Sequence, residues 1–77
     1  MTVQVKFFGN LVELIGTDTM QLQNVFDTDT LRKKLIIDFP QLGNHSFAVA
    51  VENKIVRENQ ILHAGNVVAF LPPFAGG

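Results

Sequence analysis

The chain contains no cysteine among its 77 residues. Disulfides, thiolate metal sites and cysteine redox chemistry are excluded with it. So is any side-chain thiol that could carry sulfur or form a thioester. Net charge is nearly absent as well, since six Lys and Arg against seven Asp and Glu leave −1. That balance gives no long-range attraction to nucleic acid or to an anionic membrane, and neither is expected as a partner. No apolar run approaches the roughly 20 residues that cross a bilayer. Met1-Thr2-Val3-Gln4-Val5 enters a strand pattern at once, without the organisation of a signal peptide, so a cytoplasmic location is expected.

Side chains for chemistry are equally scarce. Ser46 is the one serine and has no base at an identifiable spacing, so a nucleophilic triad is not supported. His45 and His63 are the two histidines, and neither stands at metal-ligand spacing from a second ligand. No metal site is expected. Gly9 and Gly16 form no phosphate-loop motif. The acids are dispersed, and Arg32-Lys33-Lys34 reads as a solvated helix face. The chain shows no internal catalytic constellation.

What is present is a core and an unusual end. Hydrophobic residues make up 47% of the chain, including seven Phe, enough for one small domain without staples. Val3, Val5 and Phe7 alternate with Gln4 and Lys6 in a half-buried strand that Gly9 breaks. Asn10 is placed to cap a short helix with Leu11, Leu14 and Ile15 on one face, and Gly16 fits the left-handed position after it. A second strand is expected over 19–25. Thr28 is the expected N-cap of the main helix, whose buried stripe is Leu31, Leu35, Ile36 and Phe39 and which Pro40 stops. Residues 41–46 read as a polar loop, 47–52 and 55–56 as strands, and 58–65 as irregular chain from which Ile61 and Leu62 fold back.

Val67 to Leu71 is a continuous apolar strand, and Pro72-Pro73 ends it because proline cannot donate to a ladder. The order is β, short α, β, long α, β, β, β. One mixed sheet of about five strands under one long helix is the simplest packing, an α+β arrangement of the β-grasp type. Residues 1–71 form the expected domain and 72–77 a flexible tail. The last strand is apolar on both faces, yet one helix layer can cover only one of them. An uncovered apolar face suggests a partner surface, and Val68, Ala69, Phe70 and Leu71 are its candidates, with the outward parity left open.

The tail is Pro72-Pro73-Phe74-Ala75-Gly76-Gly77. Paired glycines add nothing to a core but give a thin strand bearing one carboxylate. Six residues reach roughly 20 Å at about 3.3–3.6 Å each, enough to enter a buried site in a second protein. The two prolines stiffen the base, so less entropy is lost on threading.

Two segments carry a resemblance. Phe7-Phe8-Gly9-Asn10-Leu11-Val12-Glu13-Leu14-Ile15-Gly16 and Val68-Ala69-Phe70-Leu71-Pro72-Pro73-Phe74-Ala75-Gly76-Gly77 resemble the first strand and helix, and the ending, of the molybdopterin synthase small-subunit family of ubiquitin-like sulfur carriers. The resemblance implies that Gly77 is adenylated by an ATP-using activating enzyme and converted by a sulfur donor protein to a thiocarboxylate. It implies a large-subunit partner, in a heterotetramer, whose active site Pro72, Pro73, Phe74, Ala75 and Gly76 would thread. There Gly77 would give sulfur to a cyclic pyranopterin precursor, building the dithiolene of molybdopterin. The chain would bind no cofactor itself and act as the non-catalytic, sulfur-donating subunit of a sulfurtransferase. Carriers of thiazole synthesis share the fold and the diglycine but usually lack the double proline. A protein modifier joined to lysines through Gly77 would begin from the same adenylate, and a binding module that merely inherited the fold is a third possibility.

Overall fold

The computed structural model describes residues 1–73, so Phe74, Ala75, Gly76 and Gly77 lie outside the described residues. Its elements are β1 (Thr2–Phe7), α1 (Leu11–Ile15), β2 (Thr19–Gln23), α2 (Thr28–Asp38), a 3₁₀ turn (Pro40–Asn44), β3 (Ala48–Val51), β4 (Lys54–Val56) and β5 (Val67–Leu71). The strands form one sheet in the order β2-β1-β5-β3-β4. β1 and β5 run parallel at its centre, and every other neighbouring pair is antiparallel. This is the expected β-grasp arrangement. The parallel pair joins the first and last strands, so the chain's two outermost strands in sequence are neighbours in space.

The core lies between the sheet and α2. Val3, Val5 and Phe7 of β1 share it with Val68 and Phe70 of β5, Val49 and Val51 of β3, and Leu31 and Leu35 of α2. Complete burial of a Val, Leu or Phe side chain stabilises by about 1.5–3 kcal/mol, so these alternating positions decide which face of each strand points inward. Met20 and Leu22 of β2 and Ile36 and Phe39 pack against its rim, as their periodicity predicts. Gly16 follows α1 with φ of 92°, and its amide donates to the Val12 carbonyl, closing the helix in the left-handed conformation.

Several local expectations differ from the structure. Asn10 is helical itself (φ −66°, ψ −14°) and makes no capping bond; α1 is instead fixed by burial of Leu11 and Ile15. The second strand ends at Gln23 because Asn24 turns to φ 61°. The N-cap of α2 is Asp27, whose Oδ1 accepts from the Thr30 amide at 2.8 Å. Thr28 is buried, and its hydroxyl accepts from the Gln60 amide (2.9 Å) and donates to Asn59 Oδ1 (3.3 Å). Within 41–46, Leu42 is fully buried: the 3₁₀ turn after Pro40 carries it under α2. Leu62 packs inward but Ile61 does not, since the bridge between Asp27 and Ile61 fixes the alternation there.

Asn59 ties the start of α2 to the 57–62 segment. Its Oδ1 accepts from the Asp29 amide (2.9 Å), and its Nδ2 donates to Asp27 Oδ2 (3.2 Å). Hydrogen bonds from Thr30, by side chain and backbone, and then from Asn59 hold the Asp27 carboxyl below its ordinary value of 3.8.

Candidate functional site: the open sheet face and the base of the tail

The alternation of β5 settles the parity left open by the sequence. Val68 and Phe70 point into the core and are fully buried. Val67, Ala69 and Leu71 take the opposite face, each half-buried. Of the four candidate surface residues, therefore, Ala69 and Leu71 are on the open face. The side chains of Val68 and Phe70 belong to the domain's own interior.

Register extends this open face across the sheet. Ala69 lies opposite Lys6 of β1 on one side and Ala50 of β3 on the other. Ala50 is in turn opposite Ile55 of β4, and Lys6 opposite Thr19 of β2. The next row pairs Leu71 with Ala48, and Val67 stands opposite Gln4. The face is thus divided. Its β5-β3-β4 half is apolar, with Val67, Ala69, Leu71, Ala48, Ala50 and an exposed Ile55. Its β1-β2 half carries Gln4, Lys6, Thr19 and Gln21. Ala50 is only 4% exposed yet lies outside the main core cluster.

At the end of β5 the chain reaches Pro72 and Pro73. The Phe8 amide donates to the Phe70 carbonyl at 3.1 Å, continuing the β1–β5 contact one residue beyond β1. Gly9 follows with φ of 60°, beneath the Pro72 ring. Beside this junction a shallow groove of about 510 Å³ runs along Gln4, Lys6, Thr19, Phe8, Gly9 and Val12. Phe8 is 45% exposed there. Its signal was the parity of β1: a position after Lys6 and Phe7 in that register leaves the core side.

An aromatic chain stiffens the core side of the same junction. The Phe70 ring lies 5.7 Å from Phe7 and 5.2 Å from Phe47, both tilted. The Arg32 guanidinium stands 5.7 Å over Phe47. Arg32 is half-buried, unlike the solvated Lys33 and Lys34, and its Nε has no hydrogen-bond partner among the described residues. The basic run is therefore not one uniform face.

The described residues assemble no group of three His, Cys, Asp or Glu able to hold a metal. Nor do they contain a helix long and apolar enough to cross a membrane. What they define is a ubiquitin-like β-grasp domain whose central strand runs directly into a proline-based terminal segment. Its relatives agree. The model of the ThiS family matches residues 5–77, and the chain belongs to that family. It is 31% identical over 80 residues to the molybdopterin synthase sulfur carrier subunit of Escherichia coli strain K12, covering 97% of this chain and 99% of that one. The complex of subunits 1 and 2 of the molybdopterin-converting factor from Helicobacter pylori 26695 contains a similar chain. It has 29% identity and a TM-score of 0.71, with both chains covered completely. Small archaeal modifier protein 1 of Methanosarcina acetivorans has the same fold at 22% identity, with a TM-score of 0.84 over 99% of this chain and 96% of that one.

Proposed function

We propose that this chain is a sulfur carrier, the small subunit of a molybdopterin synthase, with Gly77 as its working end. The observation that carries the reading is the 31% identity to a molybdopterin synthase sulfur carrier subunit across nearly the whole of both chains. The chemistry follows from the residues available. A carboxylate is a poor electrophile, so it is first activated: attack on the α-phosphate of ATP, on a partner enzyme, yields the acyl-adenylate and releases pyrophosphate. Sulfide-level sulfur from a donor then attacks the acyl carbon, displaces AMP and leaves a thiocarboxylate on Gly77. No side chain of this chain can hold that sulfur, because there is no cysteine.

Delivery divides between the two parts of the molecule. The apolar half of the open face, centred on Ala69 and Leu71, docks on a large subunit. Pro72, Pro73, Phe74, Ala75 and Gly76 then lead Gly77 into that subunit's pocket, where the sulfur passes to a cyclic pyranopterin precursor. The H. pylori relative, whose chain was solved together with a subunit 2, supports a partner of this kind. The likeness to an archaeal modifier protein concerns the fold. A second role as a modifier would appear as covalent adducts that persist under denaturing conditions.

The test is reconstitution with activating enzyme, ATP, a sulfur source and large subunit. Intact-mass measurement should show one oxygen replaced by sulfur, and dithiolene should form from the precursor. Deleting Gly77 should abolish both. Dithiolene formation undiminished by that deletion refutes the proposal.

A further inference from the structure

Gly9 and Pro72 meet where the two central strands end side by side. A Cβ built on Gly9 would stand 2.6 Å from Cγ of Pro72 and 3.5 Å from its Cδ. Packed carbons rest at about 3.5–4.0 Å, so the ring occupies the volume that any other side chain would need. Glycine is required here twice over, since φ of 60° also disfavours residues with a Cβ. Gly16 and Gly65 also have positive φ, but a Cβ on either would meet nothing within 4 Å.

The seat beneath the ring is rigid. The Phe8 amide is bonded to Phe70 (3.1 Å), while the carbonyls of Phe8 and Gly9 accept from the Leu11 and Val12 amides, each at 3.2 Å. Leu11 itself is fully buried. Gly9 is therefore held between a central strand and a helix anchored in the core. Pro72 arrives with its own φ restricted near −65°, and Pro73 repeats the restriction one residue later. The direction in which the chain leaves the domain is set by where the Pro72 ring rests.

We infer that Gly9 is a positioning residue whose bare Cα seats Pro72 and aims the terminal segment, and that it thereby governs how fast Gly77 reaches a partner's reactive centre. The inference rests on the proposed role of Gly77. Restoring an ordinary carbon contact from 2.6 Å moves the ring by about 1 Å, and with it the point from which the terminal segment departs. Misplacement on the order of 1 Å lowers reaction rates by up to about 10²-fold. Docking of the sheet face, which lies on other residues, should be unaffected.

Gly9→Ala and Gly9→Asn separate positioning from stability. Asn tolerates positive φ far better than Ala, but both add the same Cβ. With saturating activating enzyme, ATP and sulfur source, thiocarboxylate formation should slow by about tenfold or more in both variants. Gly9→Asn should melt closer to the unaltered protein than Gly9→Ala does. Affinity for the large subunit should stay within about twofold of the unaltered chain. An unchanged saturating rate in Gly9→Ala overturns the inference, as does a rate that follows melting temperature and is restored by Asn. Should the unaltered chain itself gain no sulfur, the Gly77 reading falls and this one with it.

Discussion

Neighbouring positions on β5 should respond in opposite ways to one substitution. Val68 is fully buried between Val5 and Val51 in register, whereas Ala69 faces outward between Lys6 and Ala50. Val68→Asp removes about 1.5–3 kcal/mol of apolar burial. It also places an unpaired carboxylate in the core, at an effective cost of several kcal/mol. A domain of this length has about 4–12 kcal/mol of total stability, at about 0.05–0.15 kcal/mol per residue, so this variant should lose its cooperative melt. Ala69→Asp meets only the weaker strand preference of Asp, a spread of about 1 kcal/mol, partly offset by the neighbouring exposed Lys6. It should fold. Against a large subunit the same carboxylate is desolvated at the edge of the apolar half, beside Ala50. A loss of about 2 kcal/mol is characteristic of a central interface position and corresponds to about 30-fold in Kd. Circular dichroism melts and titration calorimetry read the two effects separately. Unchanged affinity for Ala69→Asp would refute the docking face, and a normal melt for Val68→Asp would refute the register of β5.

Two further outcomes concern the scaffold. The Asp27 carboxyl is held below 3.8 in the folded state, so its contribution is present above pH 3.8 and is lost as pH falls through the lowered folded value. Melting temperature of the unaltered protein should therefore drop more steeply below pH 4 than that of Asp27→Asn, which keeps a capping oxygen but does not titrate; parallel curves would contradict the assignment. Leu42→Ala should cost about 2–5 kcal/mol as a buried Leu truncation, read by denaturant or thermal melts, and a loss below about 1 kcal/mol would show that the 3₁₀ turn is peripheral to the core.

How legible each element was depended on how far its determinants lie apart in sequence. β1 was readable because Val3, Val5 and Phe7 alternate within six residues, and α2 because Leu31 and Leu35 recur within a turn. The choice between Asp27 and Thr28 as N-cap was not. Both types cap well, and the decision is made by Asn59 and Gln60, some 30 residues onward, which engage the Thr28 hydroxyl and leave Asp27 to cap the Thr30 amide. Leu42 was hidden for a related reason: one apolar residue in a polar stretch has no period to reveal it. β5 gave no parity because its five residues are apolar throughout, and only pairing with β1 and β3 separates Val68 and Phe70 from Ala69 and Leu71. Likewise the sequence marked Gly9 as a strand breaker, but its contact with Pro72 spans nearly the whole chain.

The apolar excess of β5 thereby acquires two separate causes. One parity is demanded by folding: Phe70 touches Phe7 and Phe47, and its carbonyl holds the Phe8 amide. The other parity is demanded by nothing in the domain, which is why Val67, Ala69 and Leu71 are left half-buried on a face without a covering layer. Because both parities belong to one strand, a partner that docks on Ala69 and Leu71 grips the segment from which Pro72 emerges. The strand is fixed in turn by the core and by the Phe8 amide. Contact surface, core and tail base are consecutive residues of one rigid strand, so docking the face also fixes where the terminal segment starts.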